Sequence, residues 1–366
     1  MSWSVASRES VVIAKLRTRA GASDHTTPAN DSKASTESVT AEALRAPPPQ
    51  RELNCRNSPE MCSTSHMRAT LQIAAPAVFI AALASCSGAD AESPTLRVSG
   101  IPDSSGTEID ALARAVESYL GEELGMKVEY INATNYDAAV AMIGSNKVDL
   151  GWFGGVTGVD AVDACNGEAR MIATREKDLQ FKTYFIANRA VVDAGKVGPV
   201  DSLEALKPKL SDLSFTFGNL RSTSGHIMPR HFMTAAGIDL DSGVRGGAKN
   251  QDNHTMTLDM VADGRVDVGA LNYTNYDGAS DEKKKQAVKI YETPTYVDYC
   301  MVARGSLGDE MIAKIQAAFT QLDAAKPEHR AMLNAFKAEK FVAAESSQWQ
   351  MIRDVVKSLQ DKGQLK

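Results

Sequence analysis

One segment of the chain recurs at a separation of about 120 residues. Residues 138–153 (AAVAMIGSNKVDLGWF) and 258–273 (LDMVADGRVDVGALNY) each read as a helix, a turn carrying Lys or Arg, and a Val-Asp-Leu/Val-Gly start to a strand. Solenoid repeats recur every 20–50 residues or so, and this separation is much longer. The pattern therefore predicts two similar α/β lobes, and two lobes enclose a cleft.

The hydrophobic pattern of the chain from Thr95 onward favours the α/β fold class. Short apolar runs alternate with amphipathic stretches, as in βαβα units. Thr107 lies near the start of the first predicted helix and Gly125 at its end. The predicted strands span 96–102, 127–132, 148–155 and 213–219, and the predicted helices span 107–125, 135–146, 226–237, 308–323, 327–340 and 346–360.

Two strand-like runs, 182–192 and 287–303, bracket the second copy of the repeat. We interpret them as two crossings of a hinge. Lobe I then comprises residues 95–184 together with 290–366, and lobe II comprises 185–289.

Length and charge exclude some classes of protein. The chain has 366 residues, of which 43% are hydrophobic and 23% charged, enough for more than one sizeable core. Its formal net charge is −6 and it shows no basic patch, which argues against nucleic-acid binding.

The first 86 residues read as a leader and a signal. Residues 1–66 are rich in Ser, Thr, Ala, Arg and Pro without sustained periodicity, and we expect them to be disordered. They lie upstream of a true start at Met67, or else form an unusually long leader. From Met67, one cation precedes an apolar stretch from Leu71 to Leu83. A permanent span takes roughly 20 residues, so this stretch favours a secretory signal over 67–86.

The cysteines divide by position. Leu83-Ala84-Ser85-Cys86 resembles the lipobox of bacterial lipoproteins, in which the Cys is lipidated; the alternative is an incidental thiol in an ordinary secretory signal. Cys165 and Cys300 remain in the body of the protein, either as a disulfide or as two free buried thiols.

The stretch RSTSGHIMPR (221–230) lies between a predicted strand ending at Gly218 and an apolar helix. Pro229 is tolerated only in the first helical turn, so the helix is expected to start close to Gly225–Met228. Ser222, Thr223 and Ser224 then lie at a helix N-terminus. Unpaired N–H groups, the helix dipole and three hydroxyls make an anion site without a cation; the alternative is a single Ser that merely caps the helix.

Two histidines lie in the same lobe. His254 follows Gln-Asp-Asn at the start of the second repeated helix, where an imidazole can donate to an anionic oxygen or simply cap the helix. His226 falls inside a helical period and has a weaker claim to the site.

These residues carry a resemblance. SLEALK, FTFGNLRSTSGHIMPRHFMTAAG and NHTMTLDMVADGRVDVGALN in the second lobe resemble the phosphonate/phosphite-binding family of ABC-transporter substrate-binding proteins. IPDSSGTEIDALARAVESYLGEELGMKVEYINATNYDAAVAMI and VDLGWFGGVTGVDA in the first lobe resemble the same family. The resemblance covers about residues 95 to 305, in the same order.

The resemblance implies a type II periplasmic-binding-protein fold, with two Rossmann-like lobes joined by a two-strand hinge. It also implies a monomer that holds a small oxyanion in the cleft, needs no cofactor or metal, and delivers its ligand to a membrane permease. Lipidation at Cys86 would anchor such a protein in the periplasm or at the cell surface. The ligand residues implied are Tyr136, Thr157, Ser222, Thr223, Ser224, His254 and Asn272.

Two departures bear on the ligand. Asn272 occupies a position where amine-containing phosphonates often meet a carboxylate, and a neutral amide cannot neutralise an ammonium. Gly158 stands where many relatives place a Tyr, and WFGGVTG resembles a branch whose members are described as selenate-binding. Phosphite, phosphate, a small alkylphosphonate and another tetrahedral oxyanion all remain open.

The sequence does not favour an enzyme. It lacks a Gly-x-Ser-x-Gly elbow, a His-Glu-x-x-His motif, a Cys-x-x-Cys pair and a Walker loop, and no carboxylate is evident to orient a Ser224–His254 dyad. The effector domain of a transcription regulator would need a helix-turn-helix segment, which residues 1–66 lack. An extracytoplasmic sensor that signals to a receptor kinase stays open.

Overall fold

The computed structural model describes residues 94–365. The predictions for the leader over 1–66, the signal over 67–86 and the lipidated Cys86 fall outside the described residues. Within 94–365, no helix is both long and apolar enough to cross a membrane.

Two β-sheets organise the chain, as the α/β prediction requires. The six-stranded sheet of lobe I has the order β11-β4-β10-β3-β1-β2, and the five-stranded sheet of lobe II has the order β7-β6-β8-β5-β9. The strands are β1 (Leu96–Gly100), β2 (Val128–Tyr130), β3 (Leu150–Phe153), β4 (Arg170–Arg175), β5 (Thr183–Asn188), β6 (Phe215–Phe217), β7 (Lys249–Asn250), β8 (Val268–Asn272), β9 (Ala287–Glu292), β10 (Cys300–Ala303) and β11 (Phe341–Ala343).

Helices connect and cover these strands. They are α1 (Gly106–Leu124), α2 (Tyr136–Gly144), α3 (Gly155–Ala164), α4 (Arg189–Asp193), α5 (Leu203–Leu210), α6 (Met228–Ala235), α7 (His254–Ala262), α8 (Tyr273–Asp277), α9 (Asp281–Gln286), α10 (Asp309–Thr320), α11 (Pro327–Ala335) and α12 (Gln350–Asp361). A π-helical turn over Thr223–Ile227 leads into α6.

The internal repeat is present in three dimensions. In lobe I, α2 leads into β3, and in lobe II, α7 leads into β8. Asn135 caps α2 by accepting from the Ala138 amide, and Asn253 caps α7 by accepting from the Met256 amide. Both caps satisfy amides that the first helical turn leaves unpaired. The two helices therefore begin in the same way.

The chain changes sheet between β4 and β5, and again between β9 and β10. Phe181 and Tyr296 pair as an antiparallel bridge where the two crossings meet. The predicted lobe limits at 184/185 and 289/290 fall inside β5 and β9, which both belong to the lobe II sheet. The two crossings are therefore residues 176–182 and 293–299, shorter than the predicted runs.

One predicted helix is wrong over residues 336–340. The helix predicted over 327–340 ends at Ala335, and Lys337 has a positive φ of 51°. Phe341 then starts β11, which pairs antiparallel with β4. The local pattern missed this strand because three residues carry little periodicity and the pairing partner is distant in sequence.

The lobes are packed against each other. Ile227 and Met228 of lobe II are buried with the apolar core of lobe I. Cys165 and Cys300 are separate, free thiols, which resolves the alternatives for this pair in favour of no disulfide.

Candidate ligand-binding site

The lobe II side of the cleft is built on a wide helical turn after β6. Ser222 caps it, and the carbonyl of Ser222 accepts from the amides of both His226 and Ile227. Pro229 cannot donate a hydrogen bond, so the carbonyls of Ser224 and Gly225 bond elsewhere, to Thr183 Oγ1 at 2.7 Å and to the Gly218 amide at 2.8 Å. The first turn thus begins at Thr223, and regular α-helix begins at Met228 as the proline argument predicts.

His254 lies against this turn with a defined tautomer. The backbone amide of Asn272 donates to His254 Nδ1 at 3.3 Å, which leaves the ring proton on Nε2. Nε2 is 3.3 Å from Ser222 Oγ, which also accepts from the Gly225 amide at 2.9 Å. Burial lowers the pKa of His254 to about 4, so the ring is neutral near pH 7. With Ser222 Oγ accepting from both neighbours, its own proton is available to a ligand.

Gly225 is required for this close approach. A Cβ at Gly225 would lie 2.9 Å from His254 Cε1 and 2.9 Å from Ser222 Oγ. Any larger residue would push the imidazole away from the hydroxyls.

Tyr136 occupies the equivalent place in lobe I. It is the first residue of α2, as His254 is of α7, and only 1% of it is exposed. Among the described residues no group meets hydrogen-bond geometry with its hydroxyl. Burial raises its pKa well above the usual value, and the nearby Ser222 side chain opposes this shift. A buried hydroxyl without a partner is costly, so a ligand oxygen is a fitting acceptor for it.

The N-terminus of α3 faces the lobe II turn. The Val156 amide donates to Thr223 Oγ1 at 2.9 Å across the cleft, and the Gly155 amide donates to Asp298 Oδ1 at 2.9 Å. Thr157 is fully buried at the same terminus, and its hydroxyl donates to the Gly154 carbonyl at 3.2 Å. The helix dipole therefore points at the place where the two lobes meet.

Asp298 is a member of this cluster that the sequence interpretation missed. It lies on the returning hinge crossing, 1% exposed, with no partner for Oδ2 among the described residues. Burial raises its pKa to about 7, although the hydrogen bond from the Gly155 amide and the neighbouring Ser224 and Thr223 side chains oppose this shift. The available signal was a lone acid between aromatic residues in TYVDYC, since a buried carboxylate is rare unless it has a role.

Asn272 lies at the edge of the cluster, and its side chain is engaged by the protein. Oδ1 accepts from the Asn275 amide at 2.8 Å, and Nδ2 donates to Tyr299 Oη at 3.1 Å. Tyr299 in turn donates to Asp103 at 2.7 Å. A cavity of about 50 Å³ adjoins these residues, also lined by Trp152 and Arg175.

His226 is a structural residue. Its Nδ1 donates to the Leu220 carbonyl at 2.8 Å, and its Nε2 accepts from Arg230 at 2.9 Å. Both ring nitrogens are occupied, and burial lowers its pKa to about 4.

The cleft therefore offers neutral donors and one acceptor. The donors are hydroxyls, and the acceptor is the free oxygen of Asp298. The His254 N–H and the Gly155 and Val156 amides bond within the protein and hold these groups in place. Across residues 94–365, no group of His, Cys, Asp and Glu is placed to bind a metal ion.

Comparison with known proteins identifies the family. The family described as "ABC transporter, phosphonate, periplasmic substrate-binding protein" matches residues 98–349. The chain belongs to this family. It is thus an extracytoplasmic substrate-binding component of an ABC transporter, with a small-molecule ligand and a membrane permease as partners, and the expectation of a binding protein that is not an enzyme is confirmed by the family.

Individual relatives agree. The chain is 32% identical over 271 residues to the probable ABC transporter phosphite binding protein PhnD1 of Prochlorococcus marinus (strain MIT 9301), covering 72% of this chain and 89% of the relative. It is 28% identical to the phosphonates-binding periplasmic protein of Escherichia coli (strain K12), covering 64% of this chain and 68% of the relative.

A solved structure of PhnD1 from Prochlorococcus marinus (MIT 9301), in complex with methylphosphonate, matches with a TM-score of 0.68 and 31% identity, covering 73% of this chain and 98% of that one. This match confirms the predicted periplasmic-binding-protein fold with two lobes.

Proposed function

We propose that this protein captures phosphite, phosphate or a small alkylphosphonate between its lobes and delivers it to an ABC permease. The proposal rests on two buried polar atoms at the cleft that lack a hydrogen-bond partner. The Tyr136 hydroxyl and Asp298 Oδ2 are buried polar atoms without partners among the described residues, and they flank the hydroxyls of Ser222–Ser224.

The binding site separates the roles of these groups. Ser222, Thr223 and Ser224 donate to the oxyanion from lobe II, with the His254 N–H holding Ser222 Oγ in place. Tyr136 and the α3 terminus with Thr157 complete its shell from lobe I. Asn272 holds the edge of the site through its amide. The anion binds first to the hydroxyl-rich turn, and the lobes then rotate about the two crossings.

Asp298 favours a ligand that carries an acidic hydroxyl. A carboxylate beside an anion requires one shared proton, since two adjacent like charges are unfavourable in a buried site. Phosphite, phosphate and alkylphosphonates can hold that proton themselves or receive it from Asp298. Sulfate and selenate are fully ionised near pH 7, so they depend on Asp298 alone. This argues against selenate as the physiological ligand.

An aminoalkylphosphonate is also disfavoured. The Asn272 side chain is neutral. Its Nδ2 already donates to Tyr299, and its Oδ1 already accepts from the Asn275 amide at the start of α8. An ammonium at this edge would meet no full negative charge from Asn272.

Calorimetric titration at pH 7 tests the assignment. The anions are phosphite, phosphate, methylphosphonate, 2-aminoethylphosphonate, sulfate, selenate and molybdate. We expect the first three to bind at least about tenfold tighter than sulfate and selenate, the effect of one hydrogen bond to a charged group. Preferential binding of selenate contradicts the proposal, and no binding of any of them contradicts the oxyanion site.

Anchoring by lipid is a separate part of the proposal. Leu83-Ala84-Ser85-Cys86 follows an apolar signal stretch and supports lipidation at Cys86. We expect C86A to move the protein from the membrane fraction to the soluble periplasmic fraction. An unchanged distribution contradicts the anchor and leaves the binding site unaffected.

A further inference from the structure

One arginine joins the lobes at the edge of the proposed site. Arg221 belongs to the lobe II loop before Ser222, and its Nη2 donates to Asp160 Oδ2 at 2.5 Å. Its Nε is 3.1 Å from Asp137 Oδ1, without the alignment of a hydrogen bond. Both carboxylates belong to lobe I. A single guanidinium therefore bridges the cleft twice.

The partners of Arg221 lie on the two lobe I helices that reach the site. Asp137 directly follows Tyr136 in the first turn of α2, and Asp160 lies in α3, whose N-terminal amides face Thr223 and Asp298. The ion pairs thus connect the loop next to Ser222 with both lobe I binding elements. Their formation requires the lobes to be closed.

The surroundings make Asp160 the stronger partner. The side chains of Arg221 and Asp160 are 40% and 30% exposed, while that of Asp137 is 76% exposed. Burial raises the pKa of Asp160, and the charge of Arg221 opposes this shift. The loop itself is held in place, because Asn219 Oδ1 accepts from the Arg221 amide at 2.9 Å.

We propose that Arg221 is a closure latch: its ion pairs with Asp160 and Asp137 stabilise the closed form and slow ligand release without touching the ligand. The choice of phosphite as the ligand that tests the latch rests on the proposed function, whereas the ion pairs themselves depend only on the two lobes. Because the pairs are partly exposed at the edge of the cleft, salt and a docking permease can reach them. The ligand selects which molecules close, and the latch sets how long they stay closed.

Release kinetics of the full chain test the latch, with phosphite as the probe. R221Q and D160N should each raise the phosphite dissociation rate by about tenfold, between the exposed and buried limits for ion pairs, with the association rate within about twofold of wild type. D137N should have a smaller effect. The double variant R221Q/D160N should release phosphite no faster than R221Q alone, since both remove the same interaction.

R353Q is the matched control. Arg353 pairs with Asp163 at 2.7 Å, also through α3, but both residues belong to lobe I. R353Q should leave the release rate within about twofold of wild type, the range of an exposed pair. Raising the salt concentration should speed release from wild type and leave R221Q nearly unchanged, because screening acts on the partly exposed pairs. Release from R221Q at the R353Q rate, or additive effects in the double variant, overturns the latch.

Amide exchange separates this test from the ligand assignment. The Val156 amide donates to Thr223 across the cleft, so its exchange with deuterium reports opening. Without ligand, R221Q should exchange this amide several-fold faster than wild type and R353Q. If wild type binds no phosphite, the proposed function fails, and the exchange still decides the latch. Equal exchange in all three proteins overturns it.

Discussion

The repeated helix begins with Asn135-Tyr136 in lobe I and with Asn253-His254 in lobe II. The caps are the same, and both following side chains are buried. Their chemistry differs: His254 is held by Asn272 and Ser222 before any ligand arrives, whereas the Tyr136 hydroxyl has no partner among the described residues. Lobe II thus carries a preorganised hydroxyl set, whereas lobe I presents a buried hydroxyl that a ligand oxygen would satisfy.

The largest loss of ligand affinity is expected when the hydroxyls of the lobe II turn are removed. S222A/T223A removes two hydroxyls from the turn, and hydrogen bonds to charged groups contribute about 1.5–3 kcal/mol each, so phosphite affinity should fall by about 10²–10⁴-fold. Calorimetry measures the affinity. S242A is the control, since among residues 94–365 the Ser242 hydroxyl bonds to Asp239 alone, in an exposed loop. Wild-type affinity in the double variant would refute the assignment of this turn.

Removing the unpartnered group of lobe I should have a smaller effect on binding. Y136F loses one hydrogen bond to the anion, so affinity should fall by about 10–100-fold. The ligand-free protein should be as stable as wild type or more so, because its buried hydroxyl had no partner. Urea unfolding measures this second effect. A large loss of stability would show that the hydroxyl supports the fold instead of the ligand.

Asp298 lies between the lobes on the hinge crossing, and its ionisation should change ligand affinity. The complex needs one proton shared between Asp298 and the bound anion, and this proton is lost more readily above about pH 7. Phosphite affinity should therefore fall as the pH rises. D298N should flatten this fall and raise selenate affinity relative to phosphite by about tenfold, the effect of replacing a charged acceptor with an amide. Titrations from pH 6 to 9 measure both. A pH profile identical to wild type would exclude Asp298 as the shared-proton group.

The same substitution should change the stability of the ligand-free protein. The folded pKa of Asp298, about 7, is above its ordinary value of 3.8, so the stability it contributes is present below the unfolded value and is lost as the pH rises through about 7. His254 and His226 act oppositely, since their lowered pKa values make stability fall as the pH drops from 6.5 toward 4. The difference in melting temperature between wild type and D298N isolates the carboxyl, and it should favour D298N increasingly from pH 4 to about 7 and then level off.

The last expected effect concerns packing in lobe I. A Cβ at Gly158 of α3 would lie 2.4 Å from Cys300 Sγ on β10. G158A should therefore destabilise the protein by about 1–3 kcal/mol, as overpacking does. G198A is the matched control, because no atom lies within 4 Å of a Cβ at Gly198. Equal stability of the two variants in urea would mean that α3 shifts freely on its sheet.

Local patterns were sufficient for most elements and for the position of the hydroxyl-rich turn of lobe II. Hydroxyl spacing and Pro229 predicted the lobe II turn, and the position of His254 after Gln-Asp-Asn predicted the start of α7, because helix starts depend on neighbours in sequence. Asp298 was missed, since its role depends on Gly155, which is more than 140 residues away. The partners of Arg221 were missed for the same reason.

The sequence by itself determined the two-lobed α/β class, the repeated helix starts and the hydroxyl-rich turn. These follow from periodicity, backbone capping and the missing amide of proline, which act over a few residues. Only the tertiary structure decided the short crossings, the free state of Cys165 and Cys300, the neutral His254 tautomer and the raised pKa of Asp298. Those features arise from burial and from contacts between distant segments, and desolvation has no counterpart in a local pattern.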